Sequence, residues 1–417
     1  MFLGGCLTIL FAVEILLKIS NLWIGRHSDT MFTLVEYDRL VTSFKKRENI
    51  IGKSLHFLIA ILISFSVIEI LCAMTTLFLV ERGWMAALPS LSDRQVNDFL
   101  SKQNNLLGWD PPVNEQGEVI EAEPRPDPYF SQAQSSCMSV YGDSFTLGLS
   151  DQINYPHYLA RNFGCRVANF AVPGYGSDQA FILFLAQRHL DKSKIVMIGH
   201  LSENIVRNVN QCRRLLAGGV AGFKPRYVIA ANQLRYVPVP VKTLEDFHLL
   251  VRNPKARLSF DAFLDRPRRA FPYSIALLCW FFTDHHVKTT LFGTPYHMSY
   301  YDTHHPAKGL ELTARILTSF SREALRDGRR PIILLIPTAS DLIYAKEKEI
   351  WVDEPLFRLL IKEKVNHVIH AAPQLLKRLV SRHPCEIYER CNGHFNAEGY
   401  RMLSNVVASE MRKNHWV

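Results

Sequence analysis

One segment stands out in the pattern of apolar and polar positions. Leu55 to Val80 reads LHFLIAILISFSVIEILCAMTTLFLV, 26 residues in which Glu69 is the only formal charge. As a helix it would extend about 39 Å against a hydrocarbon layer of roughly 30 Å, so it is read as a transmembrane helix. An earlier apolar stretch, Phe2 to Leu17, is shorter and carries Glu14. A second span is the favoured reading, with a re-entrant or interfacial helix as alternatives. No basic region precedes it and no small-x-small site comes after it, so a cleaved signal is not expected. LGGC at Leu3 to Cys6 lacks the apolar segment a lipoprotein box needs ahead of it. Glu14 and Glu69 are read as protonated or interface-facing carboxyls of a two-helix hairpin rather than as parts of a transport path.

Charge sets the orientation. Lys18 to Lys53 holds seven Lys or Arg, whereas Glu81 to Pro128 holds four against nine acids. Positive residues stay on the cytoplasmic side, so the C-terminal part is expected to face outward, into the periplasm of a bacterium with two membranes. Residues 1–80 are thus a membrane anchor with a basic cytoplasmic loop. The Pro- and acid-rich residues 81–128 read as a tether, with Trp109 a candidate anchor on the C-terminal domain.

From Tyr129 the pattern becomes short apolar runs separated by helical periods. Met138 to Tyr141, Val167 to Phe170, Ile195 to Gly199, Pro331 to Ile336 and Glu386 to Tyr388 are the expected strands. Helices are expected near Ile153 to Phe163, Asp178 to Leu190, Leu310 to Arg326, Pro355 to Val380 and Ala397 to Arg412. Alternation of this kind predicts an α/β domain over 129–417 with a parallel sheet covered on both faces. The rhythm breaks at about 213–308, read as an insertion between the third and fourth strands. FPYSIALLCWFF within it is too short to span and is core or a helix lying against the membrane.

The net charge of +9 comes from scattered Lys and Arg without a basic recognition motif, and nucleic acid is not an expected partner. Eight cysteines without a CxxC pair exclude a disulfide scaffold or a zinc ribbon. Cys137 and Cys165 precede what should be neighbouring strands and could bridge in an oxidising compartment; Cys385 with Cys391 is a weaker pair, and buried free thiols are the alternative. The adjacent histidines His285-His286 and His304-His305 are read as surface or packing residues, because neighbouring side chains seldom reach one metal.

MSVYGDSFTLG puts Ser144 directly after an apolar strand, where α/β folds present reactive groups. CNGHFNAEGY puts His394 just before a helix that Asn396 can cap, 250 residues later but on the same sheet edge. ANFAVPGYGSDQA brings Asn169 and Gly174, and IGHLSENIVRN brings Asn204. The N–H groups of Ser144 and Gly174 with the Asn204 amide would form an oxyanion hole.

These four ordered blocks resemble the SGNH, or GDSL, hydrolase superfamily over roughly Tyr129 to Val417, the insertion excepted. The resemblance implies a flavodoxin-like three-layer fold with Ser144 as nucleophile and His394 as base. It also implies an esterase, lipase, carbohydrate deacetylase or polysaccharide O-acetyltransferase. Two departures stand out. The third block lacks the usual Gly-x-Asn-Asp, leaving Asn208 as a competitor to Asn204. The aspartate usual three residues before the histidine is Cys391. A Ser-His dyad, Glu389 as substitute orienter, or an inactive descendant are the three readings of that loss.

The expected function is a membrane-anchored serine hydrolase cleaving acyl esters of a cell-envelope glycan, with neither metal nor organic cofactor. The rivals are an O-acetyltransferase fed by a membrane partner and an inactive glycan-binding or scaffold module.

Overall fold

The computed structural model describes residues 34–82, 84–89, 91–110, 123–216, 222–266 and 268–417. The expected span at Phe2 to Leu17, with Glu14, lies outside these residues, as do the side chains of His285 and His286. The chain divides into two compact units, Met1–Ile70 and Leu71–Val417. A helix runs over Leu34–Glu81. Its stretch Ser54–Glu81, with mean hydropathy 2.6, is long and apolar enough to cross a membrane by length and composition, consistent with a signal sequence or an anchor.

The strands in chain order are β1 (Met138–Tyr141), β2 (Val167–Asn169), β3 (Ile195–Leu201), β4 (Arg226–Ala230), β5 (Gln233–Val237), β6 (Arg330–Ile336) and β7 (Val368–His370). All but β4 and β5 form one parallel sheet, in the order β2-β1-β3-β6-β7. Counted within the sheet this is 2-1-3-4-5, the flavodoxin-like order. Its register aligns Met138 with Val167 and Ile195, and Ile195 with Arg330. The central strands are buried along nearly their whole length and mostly apolar, because both faces are covered. Val196, Ile198, Ile333 and Leu335 enter one core with the helices Ser177–Gln187 and Gly309–Arg326. Their neighbours Met197, Ile332, Leu334 and Ile336 enter a second core with Tyr155–Phe163, Ala371–Leu379 and Ala397–Lys413. The period of two along each strand thus builds three layers.

Several expectations are corrected. Glu386 to Tyr388 is no strand: Pro384–Ile387 forms a 3-10 turn, and the fifth strand of the sheet is β7. The single helix expected over Pro355 to Val380 is two, Glu354–Lys362 and Ala371–Leu379. Lys364, at φ 61°, turns the chain out of the first helix and into β7. Two amphipathic faces separated by a short strand read as one continuous period.

The expected tether is also partly folded. Ser92 caps the helix Asp93–Ser101 through a capping box, and Val96 and Leu107 enter the core. Trp109 Nε1 donates to Pro173 O at 3.0 Å, and its ring meets Tyr175 edge-on. The insertion opens with the short helix Arg213–Leu216, then forms the antiparallel hairpin of β4 and β5, followed by further short helices. FPYSIALLCWFF is not core. In the helix Tyr273–Thr283 only Ala276 is buried, while Ile275, Leu278, Phe281 and Phe282 are exposed. Its inner face packs on Leu79 and Val80, and Trp280 Nε1 donates to Trp84 O at 2.9 Å.

Both cysteine pairs are bridged, Cys137–Cys165 with Cα atoms 6.1 Å apart and Cys385–Cys391 with 4.6 Å. Where β7 ends, His370 Nε2 lies 2.8 Å from Asp353 Oδ1. Burial opposes charge on this imidazole, but the hydrogen bond and charge of Asp353, helped by Glu354, prevail and raise its pKa above 6.5. The proton's contribution is complete below the unfolded value, about 6.5, and is lost as pH rises through the raised folded value. Asp353→Asn is therefore expected to flatten the fall in Tm on the alkaline side of pH 6.5, read from melting curves across that range.

Candidate active site

Glycines let the strand ends come together. A Cβ on Gly142, just after β1, would lie 2.4 Å from Thr146 Oγ1, and one on Gly199 in β3 would meet the same atom at 2.4 Å. With both absent, Thr146 wedges between the two strands and the turn carrying Ser144 sits tightly on the sheet. Asp143 caps this turn by accepting from Phe145 N at 2.9 Å. Ser144 therefore begins the short helix Ser144–Leu147, half-buried at the carboxyl edge of the sheet.

Asp143 is fully buried, and its charge is met by Arg207 Nη1 at 2.9 Å. The same guanidinium pairs with Glu203, whose other oxygen accepts from Tyr296 OH at 3.0 Å. A chain of charge-assisted bonds thus ties the serine turn to the third block and to the insertion. Arg207 also donates to Tyr175 O at 3.2 Å, beside the second block.

Gly174 adopts φ 78°, a conformation that disfavours any side chain. The N–H groups of Ser144 and Gly174 meet no protein acceptor among the described residues. Asn204 is buried, and both its amide oxygen and nitrogen lack partners among the described residues. Asn208 is instead committed to structure: Nδ2 donates to Thr313 Oγ1 at 2.9 Å and Oδ1 accepts from Asp178 N at 3.2 Å. Of the two candidates, Asn204 is the one with hydrogen-bonding capacity to spare.

The His394 ring lies 4.8 Å from that of Phe145, the residue after Ser144. The last block thereby comes to the serine turn. Among the described residues the imidazole has no hydrogen bond, neither to Ser144 Oγ nor to a carboxylate. Glu389 does not orient it, because that side chain is exposed and only its backbone N–H reaches His394, donating to the carbonyl at 2.9 Å. What holds the loop is the Cys385–Cys391 bridge and the cap of the next helix, where Gly399 N donates to Asn396 Oδ1 at 3.0 Å.

A carboxylate-histidine pair does exist nearby. His297 Nε2 lies 2.8 Å from Asp341 Oδ1, and Ser202 Oγ and Thr338 N donate to Oδ2 of the same carboxylate. Burial alone would raise Asp341, but the charge and hydrogen bond of His297, with those of Ser202 and Thr338, hold it below the ordinary range. Because Ser202 bonds the acid and not the imidazole, the order is not that of a nucleophile relay. His200 on β3 is fully buried, and burial first, then the charges of His297 and Arg207, push it down to about 3, so it serves as a neutral link between Ser177 and Tyr301.

Beside the serine turn lies a cavity of about 410 Å³, bounded by Phe145, Arg207, Arg213, His297 and Ser340 and by the loop Cys391 to Gly393. Roomier hollows lie around Arg315 and around Arg166, about 590 and 570 Å³. Volume does not select among them; this one is singled out because it adjoins the serine turn through Phe145 and the His394 loop through Cys391 to Gly393. Arg207 was detectable in the sequence, three residues after Asn204 in a helix opening at a strand end. Arg213 and His297 were not, since their meeting depends on how the insertion folds back. Among the described residues no group of three His, Cys, Asp or Glu is placed to hold a metal ion.

No protein-family model matches the chain, and no curated protein does. Among solved structures it is similar to the lipase/acylhydrolase from Enterococcus faecalis, at 12% identity over 66% of this chain and 95% of that one, TM-score 0.34. It is likewise similar to the acetyl xylan esterase AlAXEase, at 10% identity over 66% and 98%, TM-score 0.33. A third is LAE5, an alpha/beta hydrolase enzyme from the Lake Arreo metagenome, at 12% over 67% and 96%, TM-score 0.35. The strand order of the sheet and the groups gathered at its carboxyl edge, rather than these distant likenesses, support a function.

Proposed function

We propose that the chain is a membrane-anchored serine ester hydrolase of the SGNH type whose outward domain removes acyl groups from a cell-envelope glycan. The observation that carries this reading is the arrival of His394 beside the Ser144 turn, and it is supported by the N–H groups of Ser144 and Gly174 and the Asn204 amide, which follow β1, β2 and β3 and have no protein partner among the described residues. Ser144 Oγ attacks the acyl carbonyl while His394 takes its proton. The oxyanion accepts from Ser144 N–H, Gly174 N–H and Asn204 Nδ2. The alcohol leaves with the proton from His394, and water then cleaves the acyl-enzyme by the same steps in reverse order.

The missing aspartate is met by a dyad, with the ring held against Phe145 in a loop clamped by the Cys385–Cys391 bridge. Two disulfides favour an oxidising compartment, in agreement with the charge asymmetry around Leu55 to Val80. The exposed apolar residues of Tyr273–Thr283, packed on the end of that helix, suit a domain resting on the bilayer surface. A tethered enzyme works at high local concentration on molecules of that surface.

One observation favours a second reading. An imidazole without a carboxylate suits an inactive binding module, and acyl transfer to a sugar differs from hydrolysis only in the acceptor. Full-length protein in detergent, given 4-nitrophenyl acetate with and without an oligosaccharide acceptor, separates the three. Acetate released into water supports the hydrolase, acetylated sugar supports the transferase, and no turnover supports the binding module.

A further inference from the structure

Among the described residues, one guanidinium lining the cavity beside the serine turn has no carboxylate at ion-pair distance. Arg207 faces both Asp143 and Glu203, His297 faces Asp341, and the neighbouring Lys224 faces Asp178 at 2.5 Å. Arg213, on the insertion side, is 8% exposed, forms no ion pair with a described residue, and its Nη1 is buried without a hydrogen-bond partner. Asp178 and Asp143 act on this guanidinium only from beyond ion-pair distance, and a buried Nη1 left without a partner is a hydrogen-bonding position that a bound anion can fill. Burial and then the charge of Arg207 lower its pKa to about 10, which still leaves it cationic at neutral pH.

A second unpartnered atom lines the same cavity. His297 is wholly buried, and with Nε2 engaged by Asp341 its Nδ1 has no partner among the described residues. A hydroxyl suits this atom in either protonation state, donating to the neutral ring or accepting from the protonated one.

We propose that Arg213 and His297 form a substrate subsite for a hydroxylated anion, the carboxylate of a sugar acid pairing with Arg213 while a ring hydroxyl hydrogen-bonds with His297 Nδ1. The subsite adjoins Phe145, so the sugar acid bound there belongs to the glycan whose ester Ser144 attacks. This rests on the reading of Ser144 as nucleophile. It narrows the substrate class to acylated acidic glycans.

The test is the rate at which a fluorophosphonate labels Ser144 in the full-length protein, with sodium glucuronate, glucose or inorganic phosphate present. Glucuronate at about four times its Kd is expected to slow labelling about fivefold, glucose to leave it unchanged, and Arg213→Met to lose the protection. Loss of protection is read only from variant protein that melts as a folded protein, and Arg213→Lys, which keeps the charge, is expected to keep part of the protection. Labelling that proceeds at one rate with and without glucuronate overturns the subsite and leaves the nucleophile standing. Protection by phosphate equal to that by glucuronate overturns the sugar-acid assignment. If wild type is not labelled, the nucleophile reading fails, and the subsite is then decided by Tm: a glucuronate-dependent rise in wild type absent from Arg213→Met supports it, and no rise overturns it.

Discussion

Ser144→Ala is expected to lower kcat for 4-nitrophenyl acetate by about 10²-fold, a smaller loss than in a hydrolase with a complete triad. There the serine is worth about 2 × 10⁶ and the acid alone about 3 × 10⁴, and the members act as a unit. A centre already without the acid retains only the remainder to lose. Tm should change little, because Ser144 Oγ makes no hydrogen bond among the described residues. Asn204→Ala should cost a similar factor of about 10² through the oxyanion. Asn208→Ala should instead lower Tm, since it removes the bonds to Thr313 and to Asp178 N. Steady-state kinetics and melting curves on the same preparations separate the two asparagines. Equal kinetic loss in both would contradict the assignment of Asn204.

The largest effect on stability is expected at Lys224. Its ammonium is fully buried, 2.5 Å from Asp178 Oδ2 and within hydrogen-bond distance of the carbonyls of Arg207, Asn210 and Pro225. Burial lowers its pKa to about 8, and the charge of Asp178 and its hydrogen bond offset part of that. Lys224→Met would strand the Asp178 carboxylate in the core, costing about 3–5 kcal/mol. The double variant Lys224→Met with Asp178→Asn should recover part of the loss, because no ion is then left unpaired. Denaturant unfolding of the four proteins closes the cycle, and additive losses would contradict direct coupling.

Much of the sheet and the serine turn was legible in the sequence. Strands buried on both faces are continuous apolar runs, so β1, β3 and β6 stood out, and the glycine that ends β1 marked the serine turn. Asn396 signalled its cap because an N-cap is a local interaction. β7 did not stand out, being three residues between two helices of similar period. The folded part of 81–110 was hidden by being read together with the Pro- and acid-rich stretch after it, yet Val96 and Leu107 sit in the core. Asp143 with Arg207, and Arg213 with His297, depend on chain segments far apart in sequence, and local pattern carries no record of them. Cys391 read as a lost acid; in the fold it is half of a bridge that clamps the histidine loop.

In the proposed mechanism everything depends on Ser144 being an activated nucleophile served by His394 without an aspartate. The most direct test is fluorophosphonate labelling of the full-length protein, with the modified residue located by mass spectrometry, in wild type, Ser144→Ala and His394→Ala. A single adduct on Ser144, absent from Ser144→Ala and slowed about 10²-fold or more in His394→Ala, is the predicted result. Folded wild type left unlabelled, or labelling of Ser144 that is indifferent to His394, would contradict it.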